Sequence, residues 1–183
     1  MIGAAFGATL ARAQTGDEAA FACIFRDVQP ALLRYLGVIA PEAEDVAGDT
    51  WVQVVAGLAG FRGEERAFRA WLFTIARHRA ADAGRSRTRR PAVPLEMSGE
   101  AQQPVSADTA DLALEALSAR AVVGLIASLP RDQAEIILLR VVAGLEANDV
   151  ARMVGKTPGA VRVAAHRGLR RLAGQAERAG VTQ

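Results

Sequence analysis

The sequence predicts an all-α protein: two small helical domains joined by a proline-containing acidic linker, the second with a helix-turn-helix. Three observations predict it. Apolar residues recur at spacings of three and four along most of the chain, and no stretch alternates apolar and polar residues with β-branched enrichment. The 183 residues are 51% hydrophobic but only 5% aromatic, so the core is built from Ala, Val and Leu, and Ala, Leu and Arg are strong helix formers. The composition also changes once. Residues 91–119 hold no Lys or Arg, carry Glu96, Glu100, Asp108, Asp111 and Glu115, and are punctuated by Pro91, Pro94 and Pro104. The expected division is 1–90, a linker at 91–112, and 113–178.

In the first module, residues 1–11 are mildly apolar but are not expected to be a signal peptide. They lack a basic start, Gly3, Gly7 and Thr9 interrupt them, and Arg12, Asp17 and Glu18 follow at once. Phe21, Ile24, Phe25, Val28 and Leu32 mark the first predicted helix, with Pro30 as a bend or restart. A second begins near Pro41. Ala47, Trp51, Val54, Val55 and Leu58 make its apolar face, opposite Glu42, Asp45, Asp49 and Gln53. Residues 57–63 read as a loop. A third helix, 65–84, points Phe68, Trp71, Leu72 and Ile75 inward and ends in Arg77, Arg79, Arg85, Arg87, Arg89 and Arg90.

In the second module, Leu114, Leu117, Ala121, Leu125 and Leu129 carry a helix to Pro130. A helix over 132–143 presents Ile136, Leu139 and Val142, and a short one over 147–154 presents Val150, Ala151 and Val154. Gly155 stops it as a C′ glycine. Thr157-Pro158 caps and starts the last helix, with Val161, Ala165, Leu169 and Leu172 inward.

Several chemistries are not expected. Cys23 is the single cysteine, so no disulfide forms within the chain, and its apolar surroundings predict a buried thiol. His78 and His166 are far apart, and no cluster has metal-ligand spacing. No nucleophile, metal or cofactor site accompanies the acidic residues, so no catalytic residue is expected. With no run of about 18 apolar residues, a membrane span is not expected, and a reduced cytoplasmic protein is the default.

Two constellations carry chemistry. At 145–172, two helices flank a Gly-containing turn, which is helix-turn-helix geometry. The second is basic on its outward side through Arg162, His166, Arg167, Arg170 and Arg171. Lys156 and Thr157 stand at its N-terminus, where backbone amides also favour a phosphate. Early residues of such a helix reach base edges and later ones phosphates. The second constellation is the arginine run from Arg77, preceded by Phe61, Phe68 and Trp71. Aromatic and basic residues together suit single-stranded nucleic acid, although the spacing of Phe68 and Trp71 also suits a core. The face of Glu42, Asp45, Asp49 and Gln53 is either solvated or a dock for a basic partner, and the residues alone leave both open.

These residues resemble a known family. Ala43-Glu44-Asp45-Val46-Ala47-Gly48-Asp49-Thr50-Trp51-Val52 is similar to the second conserved region of extracytoplasmic-function (ECF) sigma factors of bacterial RNA polymerase. Phe68-Arg69-Ala70-Trp71-Leu72-Phe73-Thr74-Ile75-Ala76-Arg77 resembles their signature before the promoter-melting segment. Leu129-Pro130-Arg131-Asp132-Gln133, then Gly144-Leu145, Val150-Ala151, Gly155, Val161, His166-Arg167 and Arg171-Leu172, resembles their fourth region. The motifs keep the family's order over nearly the whole chain except the linker.

The resemblance implies a non-enzymatic initiation subunit with an anti-sigma partner. Asp45, Asp49 and their neighbours Glu42 and Gln53 would dock on core RNA polymerase. Phe61, Arg62 and Trp71 would meet the melted minus-ten strand, and Arg77, His78, Arg85 and Arg87 would hold its backbone. Lys156, Thr157, Arg162, His166, Arg167, Arg170 and Arg171 would bind the minus-thirty-five duplex. The departures are Gly48, where the family commonly has glutamine, Trp51, where it usually has phenylalanine, the entry Glu146-Ala147-Asn148-Asp149, which lacks the more typical Ser or Thr cap, and Ala164-Ala165, which leave the middle of the recognition helix bare. The alternative is a stand-alone helix-turn-helix regulator, which needs neither the acidic helix nor the arginine run.

Overall fold

The computed structural model describes residues 1–89 and 121–178, with side chains over 1–86 and 121–175. Among these residues every regular element is helical. The expected linker at 91–112, with Leu114 and Leu117, lies outside them, as does the Arg87 side chain.

The first bundle has four helices. Helix α1 spans Phe6–Gln14, α2 Glu18–Ile39, α3 Ala43–Leu58 and α4 Glu65–Arg89. Asp17 caps α2 by accepting a hydrogen bond from the Ala20 amide at 3.0 Å, and Arg12 donates to its other oxygen at 2.8 Å. The amide is the main cause, and Arg12 the next, holding the Asp17 carboxyl below the usual carboxylate range. Ile24, Leu32, Tyr35, Leu36, Val54, Phe68, Leu72 and Phe73 are fully buried where the helices meet. Each such side chain contributes about 1.5–3 kcal/mol by leaving water.

The second bundle contains α5, helical over 121–127, then α6 Arg131–Ile137, a π-helical turn Leu138–Val142, α7 Ala147–Val154 and α8 Pro158–Arg178. Helices α6 and α7 both pack on α8. The α6–α8 approach is close because residue 168 is glycine: a Cβ there would lie 2.4 Å from Ile137 Cδ1. Gly155 ends α7 in the left-handed region at φ +68°, as a C′ glycine.

Several expectations need correction. Helix α1 was not foreseen, because glycines break its short apolar pattern. It forms because Phe6 packs on Phe68, ring centroids 5.5 Å apart. Pro30 neither ends nor restarts α2. Its ring sits on the exposed side, while Val28, Ala31 and Leu32 around it are buried. Burial on the inward side outweighs one missing hydrogen bond. The expected 57–63 loop begins later, since α3 continues through Leu58, and α4 runs past Gly84. The helix expected over 132–143 changes to the π turn after Ile137. Cys23 is exposed, not buried. Val55 (55% exposed) and Leu169 (47%) also face outward, each at the edge of the inward stripe its neighbours define.

The two bundles share one hydrophobic core, with α2 packed on α6 and the π turn, and several polar contacts also cross the joint. Arg69 is 5% exposed, and its Nε donates to the Ala143 carbonyl at 2.9 Å, at the end of the π turn. Its Nη1 pairs with Asp27 at 3.0 Å. Tyr35 donates to Glu135 at 3.2 Å. Burial first, and Glu135 second, push the Tyr35 phenol well above its usual range, so it stays a neutral donor. Arg66 of α4 pairs with Glu146, and its Nε lies 3.2 Å from Asp149 of α7.

Candidate nucleic-acid interface

On α8, local structure orients the basic residues. Thr157 Oγ1 accepts from the Ala160 amide at 3.2 Å, so this hydroxyl serves as the N-cap. Val161 and Gly168 are buried, while Arg162, His166, Arg167 and Arg170 are exposed. These four make no hydrogen bond or ion pair with any described residue, so their outward face keeps its full donor capacity. The remaining predicted members are held against α6. Lys156 pairs with Asp132 at 2.9 Å, and Arg171 donates to Gln133 at 3.1 Å.

The residues expected at a melted strand form two groups. Phe61 stacks on Trp71, centroids 5.1 Å apart and planes 25° from parallel. Both rest on buried Phe68, at 5.5 and 5.8 Å. The pair remains half-exposed, so it offers an aromatic surface on a rigid floor. Gly57 makes room for it: a Cβ there would come within 2.8 Å of the Trp71 ring. Arg62 lies beside the pair but folds back to donate to the Ala59 and Phe61 carbonyls at 2.9 and 2.7 Å.

The second group runs along α4. His78 is exposed, and Arg85 pairs with Asp82 one turn away. Arg77 is engaged across the joint, donating to Glu135 at 2.8 Å. Glu135 was not singled out from the sequence, and nor were Arg66 and Arg69. Each is a charged residue whose partner is far along the chain, and helical periodicity carries no sign of such pairings.

The acidic residues share the outward side of α3. Glu42, Asp45 and Asp49 are exposed, and their side chains lack hydrogen-bond or ion-pair partners among the described residues. Gln53 is exposed too, but accepts from Arg79 of α4 at 2.9 Å. Between them stands Val52, 72% exposed, which the sequence analysis did not pick out. Its position three residues after Asp49 was the available signal.

No group of His, Cys, Asp and Glu among the described residues could hold a metal. No described helix is long and apolar enough to cross a membrane.

Comparison with known proteins gives consistent results. A family model described as sigma-70 region 2 matches residues 24–90, and one described as sigma-70, region 4 matches 119–172. The ECF RNA polymerase sigma factor SigD of Mycobacterium tuberculosis is 37% identical, over 98% of this chain and 88% of its own. ShbA of Streptomyces griseus, also an ECF sigma factor, is 37% identical over 93% and 95%. Among solved structures, the sigma factor RpoE of Bartonella quintana, bound to the anti-sigma factor NepR, superimposes with a TM-score of 0.58. The identity is 25%, and 89% of this chain and 98% of that one are covered.

Proposed function

The chain belongs to the ECF sigma factors of the sigma-70 family, and from that premise we propose how its faces divide the work of promoter-specific transcription initiation. Residues 1–90 and 113–178 act as separate units joined by 91–112. The outward side of α3, with Asp45 and Asp49 central and Glu42 and Gln53 at its margins, docks on core RNA polymerase. Its support is an exposed set of carboxylates around an exposed Val52, a composition suited to a surface that is both basic and apolar.

The Phe61–Trp71 stack receives a base of the melted minus-ten strand, since base–aromatic stacking contributes about 1–3 kcal/mol per base. Arg62, Arg77, His78, Arg85 and Arg87 hold that strand's phosphates. On α8, Arg162, His166 and Arg167 enter the major groove of the minus-thirty-five duplex. Lys156, Thr157, Arg170 and Arg171 hold its backbone. An anti-sigma protein covers these faces when the chain is idle, as NepR is bound to RpoE. The chain itself performs no catalysis and works in the cytoplasm, beside polymerase and DNA.

The observation that carries this reading is α8: four exposed, unpartnered basic side chains on one face behind a capped N-terminus. Run-off transcription tests it, using purified core polymerase with and without the chain on a pool of promoter fragments. Transcripts that appear only with the chain are expected. Silence beside a working control sigma factor, together with tight duplex binding by the chain alone, would replace the reading with a stand-alone regulator.

A further inference from the structure

We propose that Val163 is a specificity-determining residue of the minus-thirty-five reader, placed to contact the C5-methyl group of a thymine. The inference rests on the reading of α8 as the recognition helix. The inward side of α8 is fixed by Val161, fully buried, and by Gly168 against Ile137. A helix turns by about 100° per residue, so Val163 lies about 200° around the axis from Val161. It therefore stands on the ridge farthest from the bundle core and is 49% exposed.

Its neighbours on that ridge are all polar: Arg162 and Arg167 flank it, and His166 and Arg170 continue it towards the C-terminus. Before it come exposed Gly159 and Ala160, which are too short to hold the helix away from a duplex. When α8 lies in a major groove, the side chain at the front of its N-terminal half is the one that cannot form a hydrogen bond.

Groove chemistry then selects the target. The thymine methyl is the one apolar feature among the base edges of the major groove. Adenine, guanine and cytosine present donors or acceptors there. A valine against them would strip their water and offer nothing in return. The free chain also has no use for a β-branched residue at an exposed helical position, because it loses rotamer freedom without burying area. Val163 would thus favour thymine at one position, while the arginines beside it bind neighbouring bases or phosphates.

The test uses holoenzyme assembled from core polymerase and the full chain, on a promoter recovered by run-off transcription. Each upstream-element thymine is replaced in turn by deoxyuridine, which deletes the methyl and keeps every hydrogen-bonding group. One position should lose about fourfold in open-complex formation. That equals about 0.8 kcal/mol at 1.4 kcal/mol per tenfold, the size of one buried methyl group. In V163A the thymine-to-deoxyuridine ratio at that position should fall to about one. R162A should lower promoter use yet keep the ratio. A flat scan on an actively transcribed promoter, or a V163A variant that retains the full ratio, overturns the proposal alone. Absence of promoter-dependent transcription on every template overturns the underlying reading, and this proposal with it.

Discussion

Replacing Arg69 by leucine probes the joint between the two bundles at one of its two most buried charges. Leucine keeps much of the apolar stem that Arg69 packs through, so the change reports mainly on the guanidinium. Two interactions are lost: the 2.9 Å hydrogen bond to the Ala143 carbonyl and the 3.0 Å pair with Asp27. Removing one partner of a buried ion pair costs about 3–5 kcal/mol, because the other charge is left in a poorly solvated place. Asp27 keeps 16% of its side-chain surface in contact with water and retains its ion pair with the Met1 amino group, which sets the expectation at the low end, about 3 kcal/mol. For a chain of this size that corresponds to a drop of about 6–12 °C in Tm. Urea unfolding followed by circular dichroism measures it. The cycle with Asp27→Asn isolates the pair, and a coupling of at least about 1 kcal/mol is expected. A loss below about 1 kcal/mol for R69L, or additivity within about 0.5 kcal/mol in the double variant, would refute the reasoning.

Three further outcomes follow from the same geometry. Glu135→Gln keeps an acceptor for Tyr35 but removes the charge that holds Arg77, so the free chain should bind a single-stranded oligonucleotide more tightly. Its salt slope should steepen by up to about 0.7, and an unchanged slope in fluorescence anisotropy would mean Arg77 meets no phosphate. Thr157→Ala removes the α8 N-cap and should cost about 1 kcal/mol by chemical denaturation, with Thr157→Ser restoring most of it. Asp17 has a depressed carboxyl pKa, so its contribution to stability is present above the unfolded value and fades as pH falls through the folded one. Asp17→Asn should therefore destabilise the chain at neutral pH and flatten the stability–pH curve below about pH 4, while a curve parallel to the wild type would count against the cap.

The sequence carried the helices to the extent that each has a one-sided apolar pattern of its own. Helix α7 was located to the residue because a left-handed glycine and a threonine cap bracket the turn after it. Helix α1 was missed because three inward residues, Phe6, Leu10 and Ala13, are too few to show a period, and its stability comes from Phe68, distant in sequence. Pro30 does not restart α2, because proline reports on the local backbone, whereas α2 is held by what it packs against. The π turn after α6 left no mark either, since the run from Ile136 to Leu139 is apolar at every step and has no phase to read.

Charge was legible as composition but not as pairing, and pairing decides which residues can meet DNA. Seven residues were expected at the minus-thirty-five element, and the structure places all of them on α8 or in the turn before it. In the folded chain Lys156 and Arg171 already neutralise or bond to α6, and Thr157 is occupied by its own helix. The outward ridge is therefore narrower than the sequence pattern, with Arg162, His166, Arg167 and Arg170 around Val163. Arg77 shows the same effect across the joint, where binding a strand requires displacing Glu135. A cation that must first leave an acidic partner gains less from a phosphate than one that leaves only water. The three free arginines of α8, Arg162, Arg167 and Arg170, should therefore supply more of the duplex affinity than their share of the total arginine count suggests.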